Sequence, residues 1–78
     1  MHVTDTPGYF EVIAITINGR LQSFAAPLSV SRALEHLALQ NKRIALERNG
    51  EIIPRSQFDT VELADGDTIE IVVAVGGG

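Results

Sequence analysis

The last three residues of the 78-residue chain, Gly76, Gly77 and Gly78, are its strongest candidate for chemistry. Glycine has no side chain to pack and loses more backbone entropy on ordering than any other residue, so we expect residues 76–78 to form a flexible tail. Fully extended, three residues reach roughly 10 Å. The tail would offer one chemical group, the carboxylate of Gly78, on a stem thin enough to enter a channel that a Cβ atom would block. A frayed, inert chain end is the competing interpretation.

A free carboxylate is a poor electrophile, because its charge repels nucleophiles and resonance stabilises it. A partner enzyme could activate Gly78 as an acyl-adenylate made from ATP, and a sulfur nucleophile could then displace the adenylate to leave a thiocarboxylate. The sequence contains no cysteine, so the sulfur would have to come from another molecule. The lack of cysteine also excludes disulfides, Cys-ligated zinc and iron–sulfur clusters. We therefore expect no permanently bound cofactor and no metal, with ATP used only by the partner.

The other polar residues do not form a pattern that predicts a catalytic or metal site. The terminal glycines are not a phosphate-binding loop, because no helix follows them in the sequence to supply amides. His36 falls on the solvent side of a predicted helix. The segment Asp65-Gly66-Asp67 lacks the further oxygen ligands of a calcium loop and predicts a turn, in which the carboxylates bind amides and Gly66 adopts positive φ.

Length and charge narrow the function further. A chain of 78 residues makes one small domain with a limited core, so an enzyme with its own deep cleft is not expected. Ten acidic residues against six Lys and Arg give a formal net charge of −4, the wrong sign for binding nucleic acid or an anionic membrane. An electrostatic partner should present a basic surface. The apolar runs are too short to span a bilayer and the N-terminus does not resemble a signal peptide, so we expect a cytoplasmic protein.

The elements that would position the tail begin after a predicted flexible lead-in, residues 1–8, and occupy a domain over residues 9–75. Ile13, Ile15 and Ile17 alternate with smaller residues, as in a strand with one buried face. Asn18-Gly19 then predicts a tight hairpin turn, and Arg20–Ala25 should return as an antiparallel strand.

A helix is predicted after Pro27, with Ser29 or Ser31 as its N-cap. Its apolar residues recur at spacings of three and four, so one face should pack on the sheet. Asn41 is expected to adopt a left-handed conformation at the helix end. The apolar stripe consists of Val30, Ala33, Leu34, Leu37 and Ala38.

Short strands should complete the sheet. Residues 44–48 and 51–53 flank the turn Asn49-Gly50, and Pro54 ends the second of them. Residues 56–58 are predicted to form one helical turn with Phe58 as a plug under the loop. The final strand is predicted over residues 68–75, where every second residue from Ile69 is apolar.

This order of elements predicts an α+β domain of β-grasp type, similar to ubiquitin. It would have a mixed sheet of four to five strands with one main helix packed across one face. The last strand would lie at the centre, parallel to the first. A rigid central strand would thus direct the flexible tail.

From about Ile13 to its end, the sequence resembles the ThiS-type sulfur carriers of thiamine biosynthesis, a prokaryotic ubiquitin-like family. The resemblance rests on the order and spacing of ITING (15–19), NGEIIPR (49–55), LADGD (63–67) and IEIV (69–72), followed by Gly77-Gly78. It implies that a ThiF-like enzyme adenylates Gly78, that a sulfur donor such as a cysteine desulfurase supplies the sulfur, and that a ThiG-like thiazole synthase uses the thiocarboxylate. Gly77 and Gly78 match the terminal pair of the family, and Gly76 is an additional glycine. The chain would be a carrier and not an enzyme.

Two alternatives remain open. The molybdopterin-synthase small subunit shares this fold and tail chemistry, but its pattern has prolines shortly before the glycines, and residues 73–75 contain none. The other alternative is a non-catalytic β-grasp domain that binds proteins and whose tail is inert. Ubiquitin-like conjugation is less favoured, because Lys42 is the only lysine.

A docking surface can also be predicted from the last strand. A sheet covered by one helix has a second face, and Val72 and Ala74 should lie on it. We predict that these residues, with the neighbouring Ile53 or Arg55, contact partner enzymes. Burial in the core is the competing explanation for Val72.

Overall fold

The computed structural model describes residues 11–74, which form a five-stranded mixed sheet, a separate two-stranded sheet and one helix. The predicted lead-in (1–8), residues 9, 10 and 75 of the predicted domain, and the glycine tail lie outside the described residues. The strands are β1 (Val12–Ile17), β2 (Arg20–Ala25), β3 (Leu28–Ser29), β4 (Ile44–Arg48), β5 (Glu51–Ile52), β6 (Glu62–Leu63) and β7 (Thr68–Val73); the helix is α1 (Val30–His36), and a 3₁₀ turn spans Arg55–Gln57.

The large sheet has the order β2-β1-β7-β4-β5. Strand β7 is parallel to β1 and antiparallel to β4, so the last strand of the chain lies at the centre of the sheet. Asn18-Gly19 and Asn49-Gly50 form the two hairpin turns, with positive φ at all four residues. This is the conformation that matches the twist of the flanking strands. The predicted β-grasp arrangement is confirmed.

The core lies between the sheet and α1. Strand β1 contributes Ile13, Ile15 and Ile17, and β7 contributes Ile69 and Ile71, each at most 8% exposed. Alternation along both strands places these side chains on one face, and the helix covers that face with Val30, Ala33 and Leu34. Phe58, also buried, closes the core beneath the 3₁₀ turn, as predicted.

The helix ends earlier than its apolar stripe predicted. Ser29 is the N-cap, and its Oγ accepts a hydrogen bond from Arg32 N at 3.1 Å. At the other end Ala38, not Asn41, takes the left-handed conformation, with φ of 60°. Leu39 N donates to Leu34 O at 2.8 Å and Ala38 N to Glu35 O at 3.0 Å, which is a Schellman motif. The prediction for Asn41 was wrong, because this turn packs Leu39 against the core.

The small sheet of β3 and β6 was not predicted. It pairs Leu28 with Leu63 and Ser29 with Glu62 in antiparallel register, and both leucines are buried. It fastens the start of α1 to the segment that precedes β7. Among residues 11–74, no helix is long and apolar enough to cross a membrane.

Candidate functional site

The strand that leads into the glycine tail is held on both sides. On one side Thr16 and Ile17 of β1 pair with Thr68 and Ile69 of β7. On the other side β4 runs along the whole of β7, from Arg48 opposite Ile69 to Ile44 opposite Val73. The candidate residues Gly76, Gly77 and Gly78 follow this strand, outside the described residues. The prediction that a rigid strand precedes them is confirmed.

A side chain continues the pairing on the β1 side after β1 has ended. Asn18 N donates to Ile69 O at 2.9 Å. The Asn18 side chain then binds both backbone groups of Ile71: Oδ1 accepts from Ile71 N at 2.7 Å, and Nδ2 donates to Ile71 O at 3.0 Å. The side-chain amide thus presents the same donor and acceptor as a peptide group, and it replaces the next residue of a parallel strand.

Asn49 has the corresponding role on the β4 side. Its backbone N donates to Thr68 O at 2.8 Å, and its Oδ1 accepts from Thr68 N at 2.9 Å. Its Nδ2 donates to Asp67 Oδ1 at 3.1 Å. Each hairpin turn therefore carries an asparagine that binds β7, one near the beginning of the strand and one near its middle.

Asp67 joins the turn before β7 to the sheet. Among residues 11–74, Asp67 is the one polar residue that is buried, and only 7% of it is exposed. Its carboxylate accepts from Ala64 N at 2.8 Å and, besides Asn49, from Arg48 Nε at 3.1 Å. Because these donors satisfy the hydrogen-bonding capacity of the buried carboxylate, we infer that Asp67 stabilises the fold.

The predicted turn at Asp65-Gly66-Asp67 is confirmed, with Gly66 at φ of 89°. Asp65 Oδ1 accepts from Ala14 N at 2.7 Å, so this carboxylate binds an amide of β1. Residues 11–74 contain no group of three or more His, Asp or Glu arranged to hold a metal ion.

The sheet face opposite α1, which we call the outer surface, carries several exposed apolar side chains. Four large hydrophobic side chains on four strands are 66–73% exposed there. The strand registers place them on the same face. Large apolar side chains exposed on one sheet face are candidates for contacts with another protein. The four residues are Val12, Leu21, Ile52 and Val72.

Two like charges lie within the outer surface. Glu47 of β4 and Glu70 of β7 are directly opposite each other. Acidic residues at opposed positions repel and lower the stability of a strand pair. The outer surface therefore combines apolar side chains with two opposed carboxylates, which fits the basic partner expected from the net charge.

The predicted docking residues are not all brought together. Val72 is 66% exposed on the outer surface, so it is not a core residue, and Ala74 is also exposed. Ile53 is half-buried and packs against the core, and its neighbour Ile52 takes the outer position opposite Glu47. Arg55 begins the 3₁₀ turn and lines a cleft with Glu35 and Lys42 on the helix side.

Sequence reasoning missed Val12, Leu21 and Ile52 as members of the outer surface. The alternation of β1 carried the signal for Val12, because it follows from the burial of Ile13. For a strand as short as β5, alternation cannot distinguish Ile52 from Ile53. The function of Asn18 and Asn49 in binding β7 was also missed, because Ile71 lies 53 residues from Asn18 in the chain.

A β-grasp sheet with a braced central C-terminal strand places the chain among the ubiquitin-like domains. The profile described as the ThiS family matches residues 15–78, and the chain belongs to that family.

Several proteins that are similar to this chain have names related to that family. A crystal structure of the thiamine biosynthesis protein ThiS from Geobacter metallireducens superimposes with a TM-score of 0.71 at 32% identity, over 85% of this chain and 100% of that one. The sulfur carrier protein ThiS of Bacillus subtilis is 46% identical over 50 residues, which are 64% of this chain and 76% of that protein. A thiazole synthase of Paramagnetospirillum magneticum is 41% identical over 64 residues, or 82% of this chain. The chain spans only 20% of the length of that synthase.

Proposed function

We propose that the chain is a sulfur carrier whose Gly78 carboxylate is adenylated and converted to a thiocarboxylate that donates sulfur for thiazole formation. The observation that carries this proposal is the match to the ThiS family, which extends through the terminal glycines to residue 78. The name of the Bacillus subtilis relative, a sulfur carrier protein, supports it. The chain itself would catalyse no reaction.

The proposed chemistry has two steps. A ThiF-like partner joins the Gly78 carboxylate to the α-phosphorus of ATP, which releases pyrophosphate and leaves an acyl-adenylate. Hydrosulfide, which a thiol reductant releases from the persulfide of a donor such as a cysteine desulfurase, then attacks the carbonyl carbon. AMP leaves with the bonding electrons, and the product is the thiocarboxylate. ATP is a substrate of the partner in this scheme. The proposal places the reaction in the cytoplasm.

The acceptor of the sulfur is proposed to be a thiazole synthase of ThiG type. The relative from Paramagnetospirillum magneticum supports this partner, because a segment similar to this chain forms part of a polypeptide named thiazole synthase. Two functions that reside in one polypeptide in one organism can reside in two interacting chains in another.

The described residues would serve this chemistry by positioning the tail. The Gly78 carbonyl must reach a partner's active site. If the segment before the glycines were disordered, the carbonyl would rarely have the position that the reaction requires. Asn18 and Asn49 hold β7 from opposite sides, so the strand that precedes the glycines is fixed in place.

The outer surface is the proposed docking site for the partner enzymes. Val72 lies on it, four residues before Gly76, so a partner bound there would also receive the tail. Ala74, Ile53 and Arg55 belong to this prediction from the sequence. Of these, Ala74 follows Val72 on the same strand path, whereas Ile53 and Arg55 lie toward the helix side.

The proposal is tested by the intact mass of the carrier after incubation with ATP, the adenylating enzyme of the same organism and a sulfur source. We expect one sulfur-for-oxygen replacement. The replacement should be absent when Gly78 is deleted and when Gly77 is replaced by leucine, because a Cβ at the tail would block its entry. Gln57→Glu, an exposed change on the helix side, is the matched control and should be loaded normally. An unchanged mass of the parent protein in this cognate system would refute the proposal.

A further inference from the structure

Strand β7 extends beyond its partner on the β1 side. Ile69 and Ile71 direct their backbone groups to that side, where Asn18 binds them. Backbone groups alternate in direction along a strand, so the N–H and C=O of Val73 point to the same side as those of Ile71. No group within residues 11–74 pairs with Val73 there.

The same stretch is firmly held on its other side. Val73 is the register partner of Ile44 in β4, and Ala74 N donates to Arg43 O at 2.8 Å. The chain is therefore extended and fixed at Val73 while one of its edges is open. We call this feature, the backbone of Val73 on the β1 side, the open edge.

Within the described part of the chain, residues 11–74, the open edge lacks the features that usually protect strand edges. Natural edges are blocked by proline, lysine, a bulge or a covering loop. Here residues 72–74 are Val-Val-Ala, and Val73 is 40% exposed.

We propose that an extended backbone segment of the thiazole synthase adds to the open edge as a further strand when the tail enters its active site. This inference rests on the proposed function. A backbone segment is the occupant because the edge offers one donor and one acceptor, which is what another strand pairs with. The Asn18 amide already binds Ile71 in this way one position earlier. The synthase is the partner because a similar segment forms part of one such enzyme.

The first test measures backbone amide exchange at Val73 in the full-length carrier, alone and with a saturating amount of the thiazole synthase. Ala74, whose amide is bonded to Arg43, is the internal control. In the free carrier the Val73 amide should exchange faster than that of Ala74. On binding, its exchange should slow by roughly tenfold or more, since it gains a hydrogen bond. Binding that leaves the Val73 rate unchanged would overturn the inference.

The second test removes the donor. Val73→Pro deletes the N–H that faces the open edge, a position at which a strand tolerates proline. Val73→Ala keeps the N–H and trims the side chain, so it serves as the control. We expect Val73→Pro to weaken binding to the synthase roughly tenfold more than Val73→Ala, with thermal melting used to verify that both are folded. Equal affinities of the two variants would overturn the inference.

Failure of the inference is distinguishable from failure of the proposed function. A parent carrier that is loaded with sulfur and binds the synthase, but whose affinity does not depend on the Val73 N–H, leaves the carrier function intact and refutes only strand addition. A parent carrier that is neither loaded nor bound refutes both.

Discussion

The Asn18 side chain is predicted to be a major source of stability for the central strand, and Asn18→Gly tests this. Glycine retains the positive φ that the turn requires, so the substitution removes the side chain without imposing backbone strain. It deletes the hydrogen bonds at 2.7 and 3.0 Å that join Asn18 to Ile71. At about 0.5–1.5 kcal/mol net for each bond, the free energy of unfolding should fall by about 1–3 kcal/mol.

Urea unfolding followed by far-UV circular dichroism measures this loss. For a domain of this size, a loss of 1–3 kcal/mol corresponds to a melting temperature lower by roughly 5–20 °C. Asn41→Gly is the control for the added flexibility of glycine, because the Asn41 side chain makes no hydrogen bond with residues 11–74. Its effect should stay below about 1 kcal/mol. If Asn18→Gly is no more destabilising than Asn41→Gly, the side chain does not act as a substitute strand and the reasoning is wrong.

Three further substitutions test other parts of the structure. Ala38→Gly should raise the melting temperature by a few degrees, about 1 kcal/mol or less, because glycine adopts the left-handed conformation at the helix end without the Cβ clash; a lower melting temperature would contradict the Schellman assignment. Asp67→Asn should lower the free energy of unfolding by about 1–3 kcal/mol, because the neutral amide is a weaker acceptor for Arg48 and its other donors; urea unfolding that matches the parent would count against this network. Val72→Glu should weaken binding to the adenylating enzyme at least roughly tenfold in titration calorimetry, by placing a charge in an apolar contact, while the melting temperature stays within a few degrees of the parent. Loss of the fold in that variant would mean that Val72 supports the core.

Much of the fold could be predicted because local signals agree with the tertiary structure. The β-branched alternation from Ile13 to Ile17 marks a strand buried on one face, and that face is the core. The two Asn-Gly pairs mark turns whose positive φ values few other residues adopt. The central position of the last strand follows from the order of the elements and the short connections between them.

The remaining features depend on contacts between distant parts of the chain. Strands β3 and β6 have two residues each, too few for any periodicity, and they exist because Leu28 meets Leu63 across the chain. The outward position of Ile52 depends on its register with Glu47, which a two-residue strand does not encode. The helix ends at His36, and the turn that follows it brings the half-buried Leu39 against the core, a contact between distant parts of the chain.

The chemistry of the candidate site remains a prediction from the sequence, whereas the neighbouring surfaces come from the structure. In the proposed function, the lack of cysteine in the sequence requires an external sulfur source. The outer surface and the open edge at Val73 could be located only once the strand registers were known.

The central position of β7 also determines how the domain responds to force on its tail. A partner that draws the tail into a narrow channel pulls β7 along its own axis. The hydrogen bonds to β1 and β4 lie across that axis, so the load is shared among all of them at once, in shear. Had the tail left from an edge strand that could be peeled away, the same bonds would break one after another. The central position of β7 therefore makes the sheet more resistant to a pull on its last strand than an edge position would.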